Sequence, residues 1–111
     1  MPEDLKKYVV RMSQAAERDL SEITRFIAKN NPQNATKIKK RIQAKISTLD
    51  HFPNRGAYVS ELLANSNKDF RQITESPWKI IYKVDDNIVR ILAIVDSRRN
   101  LKDILMEKLS K

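Results

Sequence analysis

The chain has 111 residues, and 22 basic against 14 acidic side chains give it a formal charge of +8. This length and an apolar content of 41% suit one domain with a single core, covering residues 1–111. The absence of cysteine excludes disulfides, thiolate metal sites and a cysteine nucleophile, and a single histidine disfavours a histidine metal site.

The first predicted elements are a short strand and an amphipathic helix. Tyr8 to Met12 is rich in β-branched and aromatic residues, and Ser13 is a suitable N-cap for the helix that follows. The helix is predicted to run to about Asn30. Its apolar residues recur at helical spacing and form one stripe: Ala16, Leu20, Ile23 and Ile27.

A second helix is predicted to begin at Asn31 as N-cap, with Pro32 in the first helical position. It has an apolar stripe of its own: Ala35, Ile38, Ile42, Ile46 and Leu49. Its five basic residues have no acid among them and should face water: Lys37, Lys39, Lys40, Arg41 and Lys45. Such a field favours an acidic partner, which includes nucleic acid, an acidic protein segment and an anionic membrane surface.

After Phe52-Pro53-Asn54-Arg55-Gly56 the hydrophobic period falls towards 2, which predicts strands. A weak strand covers Tyr58 to Leu63, and better ones cover Asp69 to Thr74 and Trp78 to Val84. Ile88 to Val95 is apolar except at Arg90, as expected of a central strand covered on both faces.

A short C-terminal helix, marked by Leu101, Ile104, Leu105 and Leu109, completes the order β-α-α-β-β-β-α. We therefore expect an α+β fold in which an antiparallel sheet of four strands carries an N-terminal helical hairpin. The long matched apolar stripes favour such a hairpin over a helix-turn-helix DNA-binding motif, although a plain nucleic-acid-binding module remains an alternative. We also expect a cytoplasmic protein, because the first residues lack a signal-peptide core and no apolar run is long enough for a membrane span.

Four stretches of the chain resemble the RelE/ParE superfamily of bacterial toxins. They are the first-helix opening at Ala15 to Leu20; Phe52 to Gly56 with Val59 and Glu61-Leu62; Phe70 to Ile73 with Pro77 to Tyr82; and Ile91 to Leu101. The resemblance implies the toxin half of a type II toxin–antitoxin module. RelE-like members cut mRNA on the ribosome, whereas ParE-like members poison DNA gyrase.

The resemblance also supplies candidate site residues. Lys79 stands where RelE-like enzymes carry a phosphate-stabilising strand arginine, Arg99 matches their arginine after the last strand, and Arg98 lies beside it. Arg71 sits near another basic position of that site, and Glu61 matches a glutamate that some members use as general base. We expect Lys79, Arg98 and Arg99 to face one common hollow.

Proton-transfer groups are the weak point of the nuclease hypothesis. The position of the RelE tyrosine falls on Leu105, and Ser97 and Arg98 stand where other members have a histidine or tyrosine. His51 is predicted to be structural, because it lies at a helix end where an imidazolium favours the helix dipole. Trp78 and Tyr82 are predicted to be core residues.

The missing tyrosine and the long hairpin favour a ParE-type toxin that binds a topoisomerase, with ribosome-dependent mRNA cleavage as the alternative. The family resemblance further implies a cognate antitoxin with a segment that wraps the toxin as it folds, and the charge of +8 suits an acidic segment. No metal or organic cofactor is implied.

Overall fold

The computed structural model describes residues 7–60 and 70–109. Among these residues, five strands form one sheet in the order β1-β5-β4-β3-β2. The strands are β1 (Val9–Met12), β2 (Ala57–Tyr58), β3 (Phe70–Glu75), β4 (Trp78–Asp85) and β5 (Ile88–Asp96). The helices of this part are α1 (Gln14–Ala28), α2 (Pro32–Ser47) and α3 (Leu101–Leu109).

The α+β class and the order of the elements agree with the sequence prediction, but the sheet does not. It has five strands rather than four, and it is mixed, because β1 pairs in parallel with β5 while the other pairs are antiparallel. The weak strand expected at Tyr58 to Leu63 is reduced to β2, and the rest of that segment from Glu61 onward lies outside the described residues.

Local signals at both helix starts are confirmed. The Ser13 hydroxyl accepts a hydrogen bond from the Ala16 amide at 3.0 Å, and the Asn31 side chain accepts one from the Asn34 amide at 3.0 Å. Each bond satisfies an amide that the first helical turn leaves without a backbone partner. The Ser13 hydroxyl also donates to the Leu92 carbonyl, so the same residue ties the start of α1 to β5.

The two faces of the sheet carry two separate cores. On the hairpin face, α1 and α2 bury their apolar stripes against Ile73, Ile80, Tyr82, Val89 and Ile91. On the C-terminal face, α3 buries Leu101 and Leu105 against Ile81, Ala93 and Val95, together with Val59. The strand β5 contributes to both, as its nearly continuous apolar run predicted.

The loop from Phe52 to Gly56 is locked to the sheet by Tyr82, which is fully buried. The Tyr82 hydroxyl donates to the Pro53 carbonyl and accepts from the Gly56 amide at 3.0 Å. A Cβ at Gly56 would lie 2.7 Å from the Gln72 carbonyl oxygen and still closer to the Tyr82 hydroxyl. Position 56 therefore requires glycine, because the Gln72 carbonyl and the Tyr82 hydroxyl leave no room for a Cβ. The segment from Phe52 to Gly56, which supported the family resemblance, thus has a structural role.

Candidate functional site

A hollow of about 470 Å³ opens at one end of the sheet, between α1, the ends of β4 and β5, and α3. Its floor is apolar and its rim is charged. The apolar lining comes from Ile23, Phe26, Ile27, Trp78, Ile94, Val95 and Ile104, and the charged lining from Asp19, Glu22, Asp96, Arg98, Arg99 and Lys108.

The most exposed apolar side chain at this hollow is Phe26, which is 71% accessible to solvent. It lies near the C-terminal end of α1, with half-buried Ile23 and Ile27 beside it on the same helix. A large aromatic ring left in water beside an apolar concavity is a common feature of protein-binding surfaces. This end of the sheet is thus built to receive apolar groups.

The cation Arg98 is held at the rim by Asp96, the last residue of β5. Its Nε donates to Asp96 Oδ1 at 2.9 Å and its Nη2 donates to Oδ2 at 2.7 Å, while its backbone amide also donates to Oδ1. The Arg98 side chain and amide lower the pKa of Asp96 to about 2. Asp96 is accordingly ionised at neutral pH and neutralises much of the charge of Arg98.

The expected common hollow is formed only in part. Arg98 and Arg99 both line it, but Lys79 does not. Lys79 lies directly opposite Thr74 and Val95, and residues paired in this way project from the same face of a sheet. Since Val95 belongs to the core under α3, Lys79 projects from the C-terminal face, away from the hairpin.

Arg71 projects from the other face, because it pairs with Tyr82 in the hairpin-side core. Its guanidinium donates to the carbonyls of Asn54 and Gly56 at 3.0 and 2.8 Å and stacks 4.3 Å from the Tyr58 ring centroid. A single phosphate site therefore does not contain both Lys79 and Arg71.

Of the positions considered for proton transfer, the structure describes 51 and 105 but not 61. Glu61 lies outside the described residues. His51 is exposed and its Nδ1 lies 2.8 Å from Asp50 Oδ1, which fits the predicted structural role. Leu105 is fully buried in the core under α3.

Sequence reasoning missed Asp19, a carboxylate that is only 6% accessible. Its Oδ2 accepts the backbone amide of Ile94 at 3.0 Å, and its Oδ1 accepts Nζ of Lys108 at 2.6 Å. Asp19 thus joins α1 to the edge of β5 and to the end of α3. The signal was present, because Asp19 lies three residues after Ala16 and one before Leu20, at the margin of the apolar stripe.

Within residues 7–60 and 70–109, no group of three or more acidic or histidine side chains is arranged to hold a metal ion. In the same ranges, no helix has the length and apolar character needed to cross a membrane.

Comparison with known proteins agrees with this architecture. Residues 10–101 match the model of the family described as "ParE toxin of type II toxin-antitoxin system, parDE". Toxin ParE3 of Caulobacter vibrioides is 30% identical over 91 residues, which cover 81% of this chain and 87% of that protein.

Two solved structures share the fold. A chain of the chromosomal ParDE system from P. aeruginosa superposes with a TM-score of 0.68 at 21% identity, covering 82% of this chain and 97% of that one. A chain of the toxin–antitoxin complex RelBE2 from Mycobacterium tuberculosis gives a TM-score of 0.58 at 20% identity, covering 83% and 93%. The match over most of the sequence identifies the present chain as a member of the ParE toxin family of type II toxin–antitoxin systems.

Proposed function

We propose that this toxin acts by binding DNA gyrase and blocking it, rather than by cutting RNA, and that a cognate antitoxin neutralises it. A toxin with this target acts in the cytoplasm. The observation that carries the proposal is the burial of Leu105 between α3 and the sheet. By the family resemblance this is the position of the RelE tyrosine, and a leucine has no group that moves protons.

The distribution of cations supports the same conclusion. In-line attack on a phosphodiester needs several cations around one phosphorus, where negative charge gathers. Here Lys79 and Arg71 lie on opposite faces of the sheet, and Arg98 is engaged by Asp96. A set of charges dispersed in this way suits recognition of a protein surface better than phosphoryl transfer.

Asp96 is also a poor general base for such a reaction. A base works best when its pKa lies near the working pH, and the pKa of Asp96 is held at about 2. Asp19, a second acid that lines the hollow, already accepts two hydrogen bonds. Asp19 and Asp96 therefore serve to position α3, β5 and the turn between them.

We retain Arg98 and Arg99 as candidate contacts for a partner, because both line the hollow. The antitoxin proposal is supported by the two structural neighbours, whose descriptions name a ParDE system and a toxin–antitoxin complex. An antitoxin segment with apolar side chains would cover Phe26 and fill the apolar floor. Its acidic residues would complement a chain whose net charge is +8.

The test is inhibition of gyrase supercoiling by the purified toxin. We expect inhibition by the wild-type protein and at least a tenfold weaker effect for Arg99→Ala, because arginines at a contact surface are frequent hot spots. Lys102→Ala is the matched control, since Lys102 is an exposed cation outside the hollow. Supercoiling that proceeds unchanged with wild-type toxin in excess would refute the proposal.

A further inference from the structure

A second charged surface lies on the other flank of the hairpin, where α2 packs beside β3. It begins with three cations spaced four residues apart, Lys37, Arg41 and Lys45, which therefore follow one line along α2. The Arg41 guanidinium donates to Glu75 of β3 at 2.6 Å, which fixes that line against the edge of the sheet.

Two further arginines extend the line beyond the end of α2. Thr48, eleven residues after Lys37, continues the same side of the helix, and Arg55 donates to both its hydroxyl and its carbonyl. Arg71 binds the carbonyls of Asn54 and Gly56, on either side of Arg55. We call these five side chains the basic strip: Lys37, Arg41, Lys45, Arg55 and Arg71.

The basic strip is weakly compensated by its own molecule. In the described part of the chain, Arg41 is its one member in an ion pair, and its partner Glu75 leaves a net charge of +4 for the group. Arg55 and Arg71 are held by neutral carbonyl and hydroxyl oxygens, so they keep their full positive charge in fixed positions. Such preorganised cations cost little entropy when they bind an anion.

The chemistry of the basic strip favours a phosphate backbone over an acidic protein segment. A protein partner needs apolar anchors, and the exposed positions of α2 beside the cations carry Gln33, Thr36 and Ala44. Among the residues described along the strip, exposed apolar rings lie only at its Arg55–Arg71 end, where Phe52 is exposed and Arg71 stacks on Tyr58, and further apolar lining lies at the hollow beside α1. The repeating line of charge on α2, which has no such anchors beside it, matches duplex DNA, which carries a phosphate about every 1.7 Å along its axis.

We propose that the basic strip binds the phosphate backbone of duplex DNA without reading its sequence. The inference rests on the proposed function: a toxin that blocks gyrase meets an enzyme that holds duplex DNA, and the basic strip would contact that duplex while the hollow contacts protein. The two surfaces lie on different flanks of the hairpin, because the hollow is lined by α1 and the strip borders β3.

The test is binding of the full-length toxin alone to a fluorescein-labelled 20-base-pair duplex, followed by anisotropy at several salt concentrations. Each neutralised phosphate adds about −0.9 to the slope of log affinity against log salt, so five cations predict a slope of about −4.5. For the variant Lys37→Gln/Arg41→Gln/Lys45→Gln we expect a slope that is shallower by about 3 and an affinity at low salt that is at least tenfold weaker.

A matched variant distinguishes an effect of the basic strip from an effect of the net charge. Arg11→Gln/Arg18→Gln/Lys102→Gln removes three exposed cations elsewhere, so both variants carry a formal charge of +5. We expect the matched variant to keep the wild-type slope, and circular dichroism with thermal melts confirms that both variants are folded.

Three results would overturn the proposal. They are a wild-type slope shallower than about −1, an equal loss in both triple variants, and a poly-glutamate peptide of equal charge that binds with the same dependence on the strip. The last result would make the surface an acidic-protein site. The DNA-binding assay contains no gyrase. A toxin that fails to bind DNA can therefore still inhibit supercoiling, and a toxin that fails to inhibit supercoiling can still bind DNA, so the two proposals fail separately.

Discussion

Nζ of Lys108 lies 2.6 Å from Oδ1 of Asp19, a residue 89 positions earlier in the chain. The pair connects α1 to α3, and Oδ2 of the same carboxylate accepts the amide of Ile94, so that Asp19 connects both helices to β5. A buried carboxylate with two donors is stable only while both donors stay in place.

Asp19→Ala should lower the free energy of unfolding by about 3 kcal/mol, because it leaves the Ile94 amide and the Lys108 ammonium without their acceptor. Asp19→Asn should cost less, since its amide oxygen can still accept from Ile94. Urea denaturation followed by circular dichroism measures both. Equal stability of Asp19→Ala and the wild type would show that the pair does not hold α3.

Tyr82→Phe should cost roughly 1–3 kcal/mol, because it leaves the Gly56 amide buried without its acceptor and the Pro53 carbonyl without its donor. Burial raises the pKa of Tyr82 above its usual value of 10.0. The stability that this tyrosine contributes is therefore complete below pH 10 and is lost as the pH rises further. Denaturation curves at pH 8, 10 and 11 should show a steeper loss for the wild type than for Tyr82→Phe.

Gly56→Ala should destabilise the protein by about 1–3 kcal/mol, because the added methyl group meets the Gln72 carbonyl and the Tyr82 hydroxyl. Ala57→Gly, at the next and exposed position, is the control and should cost about 0.5–1 kcal/mol. Thermal melts of the two variants give the comparison, and a Gly56→Ala protein as stable as the wild type would contradict the close approach seen here.

The elements that the sequence predicted well are those with local signals. Ser13 and Asn31 cap their own helices through residues three positions away. The residues of β4 predicted to share one face all belong to the hairpin-side core: Trp78, Ile80, Tyr82 and Val84. The parallel pairing of β1 with β5 had no such signal, because it joins Val9 to Ile88 across most of the chain. The sheet type was wrong for that reason, whereas the strand number was wrong because the weak strand near Tyr58, seen as β2, is an additional member of the sheet.

The candidate site was harder to predict than the fold. Arg98 and Arg99 both line the hollow, as neighbours in sequence readily do, and their role there stays a prediction. The face from which Lys79 projects depends on strand pairing, and the partners of Arg71 depend on a loop folding back over β3. Patterns along one strand do not encode either relationship.

Asp96→Asn should make the free energy of unfolding depend less on pH in the acid range. Since Arg98 lowers the pKa of Asp96 from 3.8 to about 2, this carboxylate stabilises the fold above about pH 4 and loses that contribution between pH 4 and 2. Denaturation at pH 7, 4, 3 and 2 tests the window, with Asp86→Asn, an exposed turn carboxylate, as control. A profile for Asp96→Asn as steep as that of the control would contradict the assignment.

Phe26→Ser should weaken binding of the cognate antitoxin by about tenfold to a hundredfold, as expected for an aromatic anchor at a contact surface. Stability should change little, since the ring is largely in water. Phe52→Ser is the matched control, because Phe52 is also exposed but lies outside the hollow. Isothermal titration with the antitoxin measures both, and equal affinity of the two variants would exclude the hollow as the antitoxin site.

The burial of Leu105 predicts a toxin that binds its target without cutting RNA. The most direct measurement adds the purified toxin, at one concentration, to a gyrase supercoiling reaction and to translating ribosomes whose mRNA is mapped by primer extension. We predict that supercoiling stops while the mRNA stays intact. Cleaved mRNA that is restored to full length by Arg99→Ala, with supercoiling unaffected, would contradict the account.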